Sequence, residues 1–172
     1  MDSGANHADA AAVPYLLEEG EGEVIRWFGA TLTVKASGPH FDVAVTTELS
    51  GSEPPLHVHA SDDEALYVLD GRLTVFAGDE IFAAETGAFV FLPRNVAHTF
   101  AVDSGTARLL VVIAPAGALA MYSDAEQRFG RGGMPARAQA TDVAVVAATL
   151  AGYGVTIVGA NPRREADGNK RK

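Results

Sequence analysis

The sequence predicts an all-β domain, a sandwich or barrel, carrying a small helical appendage on its C-terminal side. Three observations predict it. Between residues 23 and 115 the apolar residues recur with a period of two. The segments that carry this period are short and rich in β-branched and aromatic residues. Turn-forming residues separate them at regular intervals: Gly29, Ser37-Gly38-Pro39, Gly51, Asp70-Gly71, Gly78-Asp79, Gly87 and Ser104-Gly105.

In chain order the expected strands are EVIRWF, TLTVKA, FDVAVTTEL, the triplet HVH, ALYVLDG, RLTVFAG, EIFAAE, AFVFLP, HTFAVD and ARLLVVIA. Asp70-Gly71 fits a tight hairpin. After Pro115 the period changes. GALAMYSDAEQRFG places Leu119, Tyr122, Ala125 and Phe129 on one helical face, with Gly130 as a stop. RGGMPARAQA reads as a linker. TDVAVVAATLAGYG offers Thr141 as an N-cap and Val143, Val146, Ala147 and Leu150 as a buried stripe, ended by Gly152 and Gly154. VTIVG is a last short strand, and Asn161-Pro162 closes the ordered region. The expected organisation is a flexible tail over 1–14, a β-barrel over 15–117, helices and a short strand packed on it over 118–160, and a flexible basic tail over 161–172.

Composition excludes several chemistries. The 172 residues include no cysteine, which removes disulfides, thiolate metal sites and cysteine nucleophiles. A net charge of −9 repels polyphosphate, so nucleic acid is not an expected partner. The opening residues lack a basic segment followed by a long apolar one, and runs such as LLVVIA are too short to span a bilayer. A cytoplasmic protein with no membrane partner is expected. Residues 23–36 supply more strand than one small barrel needs, and exposed edges are commonly paired, so a homodimer is expected.

The chemistry concentrates in GSEPPLHVHASDDEALYVLDG, residues 51–71. In a strand, His57 and His59 point to one face, ~7 Å apart along it. Glu64 follows a polar turn, and a hairpin there would return its carboxylate toward His59. Two histidines and one carboxylate suit a redox-capable divalent metal with open positions. His98 begins another β run after a proline-punctuated turn and shares a face with Phe100 and Val102, so a neighbouring strand can deliver it to the same ion. Three neutral imidazoles and one carboxylate leave two positions open in an octahedral sphere. Taken singly, a histidine pair or a strand-end glutamate is ordinary surface; their occurrence together between bracketing glycines points to one site. His7, in a polar tail, and His40, beside a Gly-Pro turn, are read as having no role.

These residues resemble a known family. Gly51-x5-His57-x-His59-x4-Glu64-x6-Gly71 is similar to the first cupin motif at every fixed position, and Gly87-x5-Pro93-x-Asn95-x2-His98 to the second. Asn95 stands where the second motif has glycine, and asparagine tolerates the left-handed backbone glycine would supply. Val102 replaces an asparagine that is not a ligand. The resemblance implies a double-stranded β-helix, or jelly-roll barrel, with His57, His59, Glu64 and His98 binding one iron, manganese, nickel, copper or zinc ion. The C-terminal helices followed by YGVTIVGANP are similar to single-cupin proteins grouped with quercetin 2,3-dioxygenase.

An apolar pocket is expected around the ion. Leu66 shares Glu64's face and Phe100 that of His98. Phe91, which shares a face with Phe89, is a further candidate, and Met121 and Tyr122 are placed to cover the barrel mouth. Each is equally at home in an ordinary core. Trp27 depends on a strand register the sequence leaves open, and Arg26 and Arg94 are candidate anchors for an acidic substrate. Open coordination positions favour an enzyme, with Glu64 as ligand and proton acceptor. The leading expectation is a metal-dependent dioxygenase acting on a small aromatic, enolic or polyketide-like compound. A non-redox cyclase, isomerase or lyase of secondary metabolism, and a non-catalytic small-molecule-binding module, are the alternatives.

Overall fold

A computed structural model describes residues 13–27, 29–129 and 140–163. The outermost tail residues, His7, Gly130, most of the expected linker and the side chains of Phe129, Thr141 and Val143 lie outside the described residues.

The strands are β1 (Glu23–Trp27), β2 (Ala30–Ser37), β3 (Asp42–Leu49), β4 (Leu56–His59), β5 (Asp63–Asp70), β6 (Arg72–Ala77), β7 (Glu80–Glu85), β8 (Phe89–Leu92), β9 (His98–Val102), β10 (Thr106–Ala114) and β11 (Val155–Gly159). The helices are α1 (Ala118–Phe129) and α2 (Ala140–Ala151), both between β10 and β11. Neither is long and apolar enough to cross a membrane.

The strands form two antiparallel sheets. One has the order β1-β2-β3-β10-β5-β8 and the other β11-β4-β9-β6-β7. Eight of them, β3 to β10, make the facing four-stranded layers of a jelly roll, in which the chain repeatedly crosses from one sheet to the other. Strands β1 and β2 extend the first sheet and β11 the second. Alternation fixes the core: on β3, Asp42, Ala44, Thr46 and Glu48 are buried while the residues between them are not. Val68, Leu73, Val75, Ala84, Val90 and Val102 fill the closed end between the sheets, and Leu66 and Leu109 continue that cluster to the cavity wall. At the other end Trp27, Met121, Tyr122, Val146 and Leu150 come together around the two helices.

Two turns behave differently from expectation. Asp70-Gly71 is not a hairpin, because β5 and β6 lie in different sheets. It is a corner. Gly71 has φ 94°, and a Cβ there would stand 2.7 Å from both the Ser104 hydroxyl and the Thr106 carbonyl oxygen. Gly71→Ala combines a left-handed backbone with that clash, and is expected to lower stability by about 2–3 kcal/mol in chemical denaturation. The two-residue hairpin loop is Gly78-Asp79, which joins β6 to β7 through the pair Ala77↔Glu80. The polar turn after β4 is also a corner, since β4 and β5 belong to opposite sheets.

The helices are tied to the barrel by a remote cap. α1 has no acidic residue in its first turn. Asp42, 1% exposed at the start of β3, supplies one: its Oδ2 accepts hydrogen bonds from the Gly117 and Leu119 N–H groups at 2.8 and 3.1 Å. Its Oδ1 accepts from the Ser37 hydroxyl at 2.8 Å. At the far end, the Asn161 amide donates to the carbonyls of Pro54 and Phe100 and to the Thr99 hydroxyl, clamping the chain against β9.

Candidate metal centre

Four side chains from three strands meet inside the sandwich. β4 carries His57 and His59 on one face, β9 pairs with it in the register His57↔His98, and Glu64 reaches across from β5 in the opposite sheet. The expected hairpin between His59 and Glu64 is thus replaced by an approach across the interior, which brings the carboxylate to within 3.8 Å of His59 Nε2 and 3.4 Å of His98 Nε2. One donor atom from each of His57, His59, Glu64 and His98 lies within 4.8 Å of all the others.

Backbone groups set the imidazole orientations. The Nδ1–H of His57 donates to the Pro55 carbonyl and that of His98 to the Val96 carbonyl, both at 2.9 Å. A carbonyl can only accept, so Nε2 of each ring keeps its lone pair for the interior. Asn95 has φ 64°, the left-handed value the sequence suggested, and its N–H donates to the His59 carbonyl at 2.8 Å, pinning the end of β4. The Asp62 carboxylate stands 3.6 Å from His59 Nδ1, the side of the ring turned away from Glu64.

Electrostatics match this geometry. Burial pushes His57 down to about 4, with the neighbouring His98 adding to the effect, so the ring is neutral at physiological pH. Burial acts to raise Glu64, yet the three imidazoles outweigh it and hold the carboxyl below its usual range. Burial likewise acts to lower His98, and Glu64 outweighs it, raising the imidazole.

The cluster fits a divalent transition metal. Four donors ~2.1 Å from one ion lie ~3.0 to ~4.2 Å from each other, so shifts of less than about 1 Å bring this cluster onto one ion. His98 Nε2 is buried and has no hydrogen-bond partner, an arrangement that costs free energy unless something accepts the lone pair. Nitrogen and carboxylate donors without thiolate suit iron, manganese, nickel, copper or zinc.

Comparison with known proteins agrees with the motif reading. Residues 45–113 match the Cupin domain family. They are a cupin domain. Over 102 residues the chain is 31% identical to a quercetin 2,3-dioxygenase from Bacillus subtilis (strain 168), covering 57% of this chain and 30% of that protein. The chain therefore corresponds to less than a third of the length of that relative. Two solved structures share the fold. KdgF from Halomonas sp. superposes with a TM-score of 0.57 at 16% identity, covering 61% of this chain and 96% of that one. An RmlC-like cupin from Shewanella frigidimarina NCIMB 400 gives 0.55 at 18% identity, covering 60% and 93%.

The cupin cluster opens into a cavity of about 910 Å³ between the two sheets and beneath the helices. Leu66, Phe100, Met121 and Tyr122 line it, as does Trp27, whose indole meets the Tyr122 ring edge-on at a centroid distance of 5.9 Å. Phe91 does not, and its expected place in the pocket is corrected. It is 56% exposed, because Val90 and Leu92 hold the inward parity of β8 and turn Phe89 and Phe91 outward. Arg94 is not an anchor for substrate either. Its guanidinium grips Asp63 in two-pronged fashion at 3.0 and 2.7 Å, holding that carboxyl down to about 2. Arg26 is exposed on β1.

Sequence reasoning missed Glu48. It lines the cavity from β3, 7% exposed, and belongs to no part of the four-residue cluster. Burial foremost, with the charges of Glu64 and Glu53, pushes it up to about 7, while Thr46 beside it draws it partly back. The signal was available: in FDVAVTTEL a glutamate shares the inward parity of three other buried positions, Asp42, Ala44 and Thr46. A folded-state value raised above the unfolded 4.5 stabilises the protein below pH 4.5, and that stabilisation is lost as pH rises through 7. Glu48→Gln removes the loss. Metal-free Glu48→Gln is expected to exceed metal-free wild type in stability at pH 8 by about 3 kcal/mol at most, and to match it at pH 4, in urea titrations at both pH values.

Proposed function

We propose that the chain is a metal-dependent cupin enzyme, a dioxygenase acting on a small aromatic or enolic compound. The observation that carries this reading is the convergence of three oriented imidazoles and one carboxylate on the wall of a largely apolar cavity. The likeness to a quercetin 2,3-dioxygenase supports the choice of reaction class.

A divalent ion held by His57, His59, Glu64 and His98 would acidify a coordinated substrate hydroxyl and supply the redox chemistry for reaction with dioxygen. The chain's own residues do the rest. Glu64, kept ionised by the imidazoles around it, is the base within reach of that hydroxyl and accepts its proton on a carboxylate oxygen. The backbone contacts of His57 and His98 hold the rings in place, so little reorganisation accompanies substrate binding. Leu66, Leu92 and Phe100 keep water from the ring of a bound substrate, and Met121 and Tyr122 close over it from α1.

The test is elemental analysis of the purified protein followed by oxygen-electrode assays on a panel of flavonols, catechols and enolic diketones. About one transition-metal ion per chain, with oxygen uptake matching substrate loss, is the expected result. A chain that retains no metal overturns the centre itself. A metal-loaded chain that converts substrate equally well under nitrogen overturns the dioxygenase assignment.

A further inference from the structure

The cavity has two polar regions. One is the histidine cluster with Glu64. The other lies on β3, where Thr46 and Glu48 occupy successive inward positions. Register separates the two. Glu64 pairs with Ile113 and through it stands level with Asp42, whereas Glu48 pairs with Ala107, three inward positions farther along β3.

The second region has the marks of a built site. Thr46 is 4% exposed and lines the cavity; its buried Oγ1 makes no hydrogen bond of good geometry, although it stands close enough to the Glu48 carboxyl to lower it. A buried hydroxyl held by one loose contact keeps hydrogen-bonding capacity that a ligand group can use. Glu48 lies beside it. The titratable groups whose charges act on Glu48 are Glu64 and Glu53, both acidic. Glu53 is committed elsewhere: its two oxygens accept from the Val102 and Gly51 N–H groups at 2.9 and 3.0 Å. The Tyr122 phenol lines the same cavity from α1, and burial foremost, with the charges of Glu64 and Glu48, raises it.

The cavity's charge inventory decides what these groups can receive. Among the described residues its lining includes Glu48, Glu53 and Glu64 but no lysine or arginine. A substrate carboxylate or phosphate would enter with no counter-charge beyond the ion itself and would be repelled by Glu48 when that group is ionised. An ammonium would give up its hydration to largely apolar walls and meet a Glu48 carboxyl only partly ionised near neutral pH. An uncharged hydroxyl or carbonyl can exchange hydrogen bonds with a carboxyl, a threonine hydroxyl and a phenol at once.

We propose that Glu48, Thr46 and Tyr122 form a second anchoring pole that binds an uncharged hydroxyl or carbonyl at the end of the substrate remote from the metal, selecting neutral hydroxylated molecules over carboxylates, phosphates and amines. Glu48 is the specificity-determining member. Its protonated form donates to a substrate oxygen and its ionised form rejects an anion. This rests on the metal-dependent reading for the orientation of the substrate, but the pole itself is made of side chains present with or without an ion.

Three probes share one catechol and differ at the other end: 3,4-dihydroxyphenylethanol, 3,4-dihydroxyphenylacetate and 3,4-dihydroxyphenylethylamine. Each is titrated calorimetrically into the zinc-loaded and the metal-free protein, as wild type, Glu48→Gln and Thr46→Val, with zinc content and circular dichroism recorded for every sample. Wild type is expected to bind the alcohol at least about tenfold more tightly than the carboxylate or the amine. Glu48→Gln is expected to cut the alcohol-to-carboxylate ratio about fivefold or more, and Thr46→Val to weaken the alcohol about fivefold, both at unchanged zinc content. The preference for the alcohol persists without zinc. Ratios unaltered within twofold in both variants overturn the proposal, as does a wild type that prefers the carboxylate or the amine. An affinity for catechol that is the same with and without zinc counts instead against the metal centre, and leaves the Glu48-dependent ratio to decide the pole on its own.

Discussion

His59→Ala is expected to leave a folded barrel that no longer retains a transition metal. His59 is 1% exposed, and its imidazole lies on the cavity wall rather than in the cluster of Val68, Val75 and Val90 that closes the other end of the sandwich. The substitution removes one of four donors and leaves Glu64 with fewer positive or polarisable neighbours. Loss of a residue that merely supports a ligand costs 10–100-fold in affinity, so loss of a ligand itself is expected to cost more than about 100-fold. Equilibrium dialysis against zinc and manganese measures the affinity, circular dichroism checks the fold, and oxygen uptake should fall to background. Wild-type metal content in the variant would end the assignment of this site.

The second large effect is expected from Asp42→Ala. One buried carboxylate satisfies the Ser37 hydroxyl and two N–H groups at the start of α1. Its removal leaves those donors without an acceptor and takes the capping anion from a helix whose own first turn has no acidic residue. Stability is expected to drop by about 3–4 kcal/mol. The loss is not spread evenly. α1 carries Leu119, Met121 and Tyr122 to the cavity, so amide exchange should quicken over residues 117–122 well before it does in β5 or β10. Asp42→Asn, which keeps one carbonyl acceptor, should recover part of the protection. Uniform acceleration across the barrel would show instead that Asp42 acts as a general core residue rather than as the tether of the helix.

Much of this was legible in the chain because strands announce themselves by parity. FDVAVTTEL and ARLLVVIA gave the limits of their strands to within a residue, and the motif spacing gave all four members of the cluster. Asn95 was readable for a different reason: few residues other than glycine accept its backbone angle. What parity does not carry is which sheet comes next. Asp70-Gly71 has the chemistry of a tight turn, but a turn between paired strands and a corner between sheets ask for the same residues. The same ambiguity hid the true approach of Glu64 to His59. Phe91 was lost to a related uncertainty, since AFVFLP is apolar on both faces and only the pairing Ala65↔Phe91, on the outward side of β5, decides between them. Glu48 was overlooked because a glutamate near a strand end reads as solvated until its neighbours are known to be buried.

Strand β11 has a consequence for assembly. β4 shares a single register pair with β9, His57↔His98, while β11 runs beside all four of its residues from Leu56 to His59. The histidine strand thus waits for a partner that the ribosome makes about a hundred residues later, long after the motif has left the exit tunnel. Until then its second edge is bare. Ion capture should follow chain completion, and a nascent chain halted ahead of Val155 should hold its histidines in no fixed arrangement.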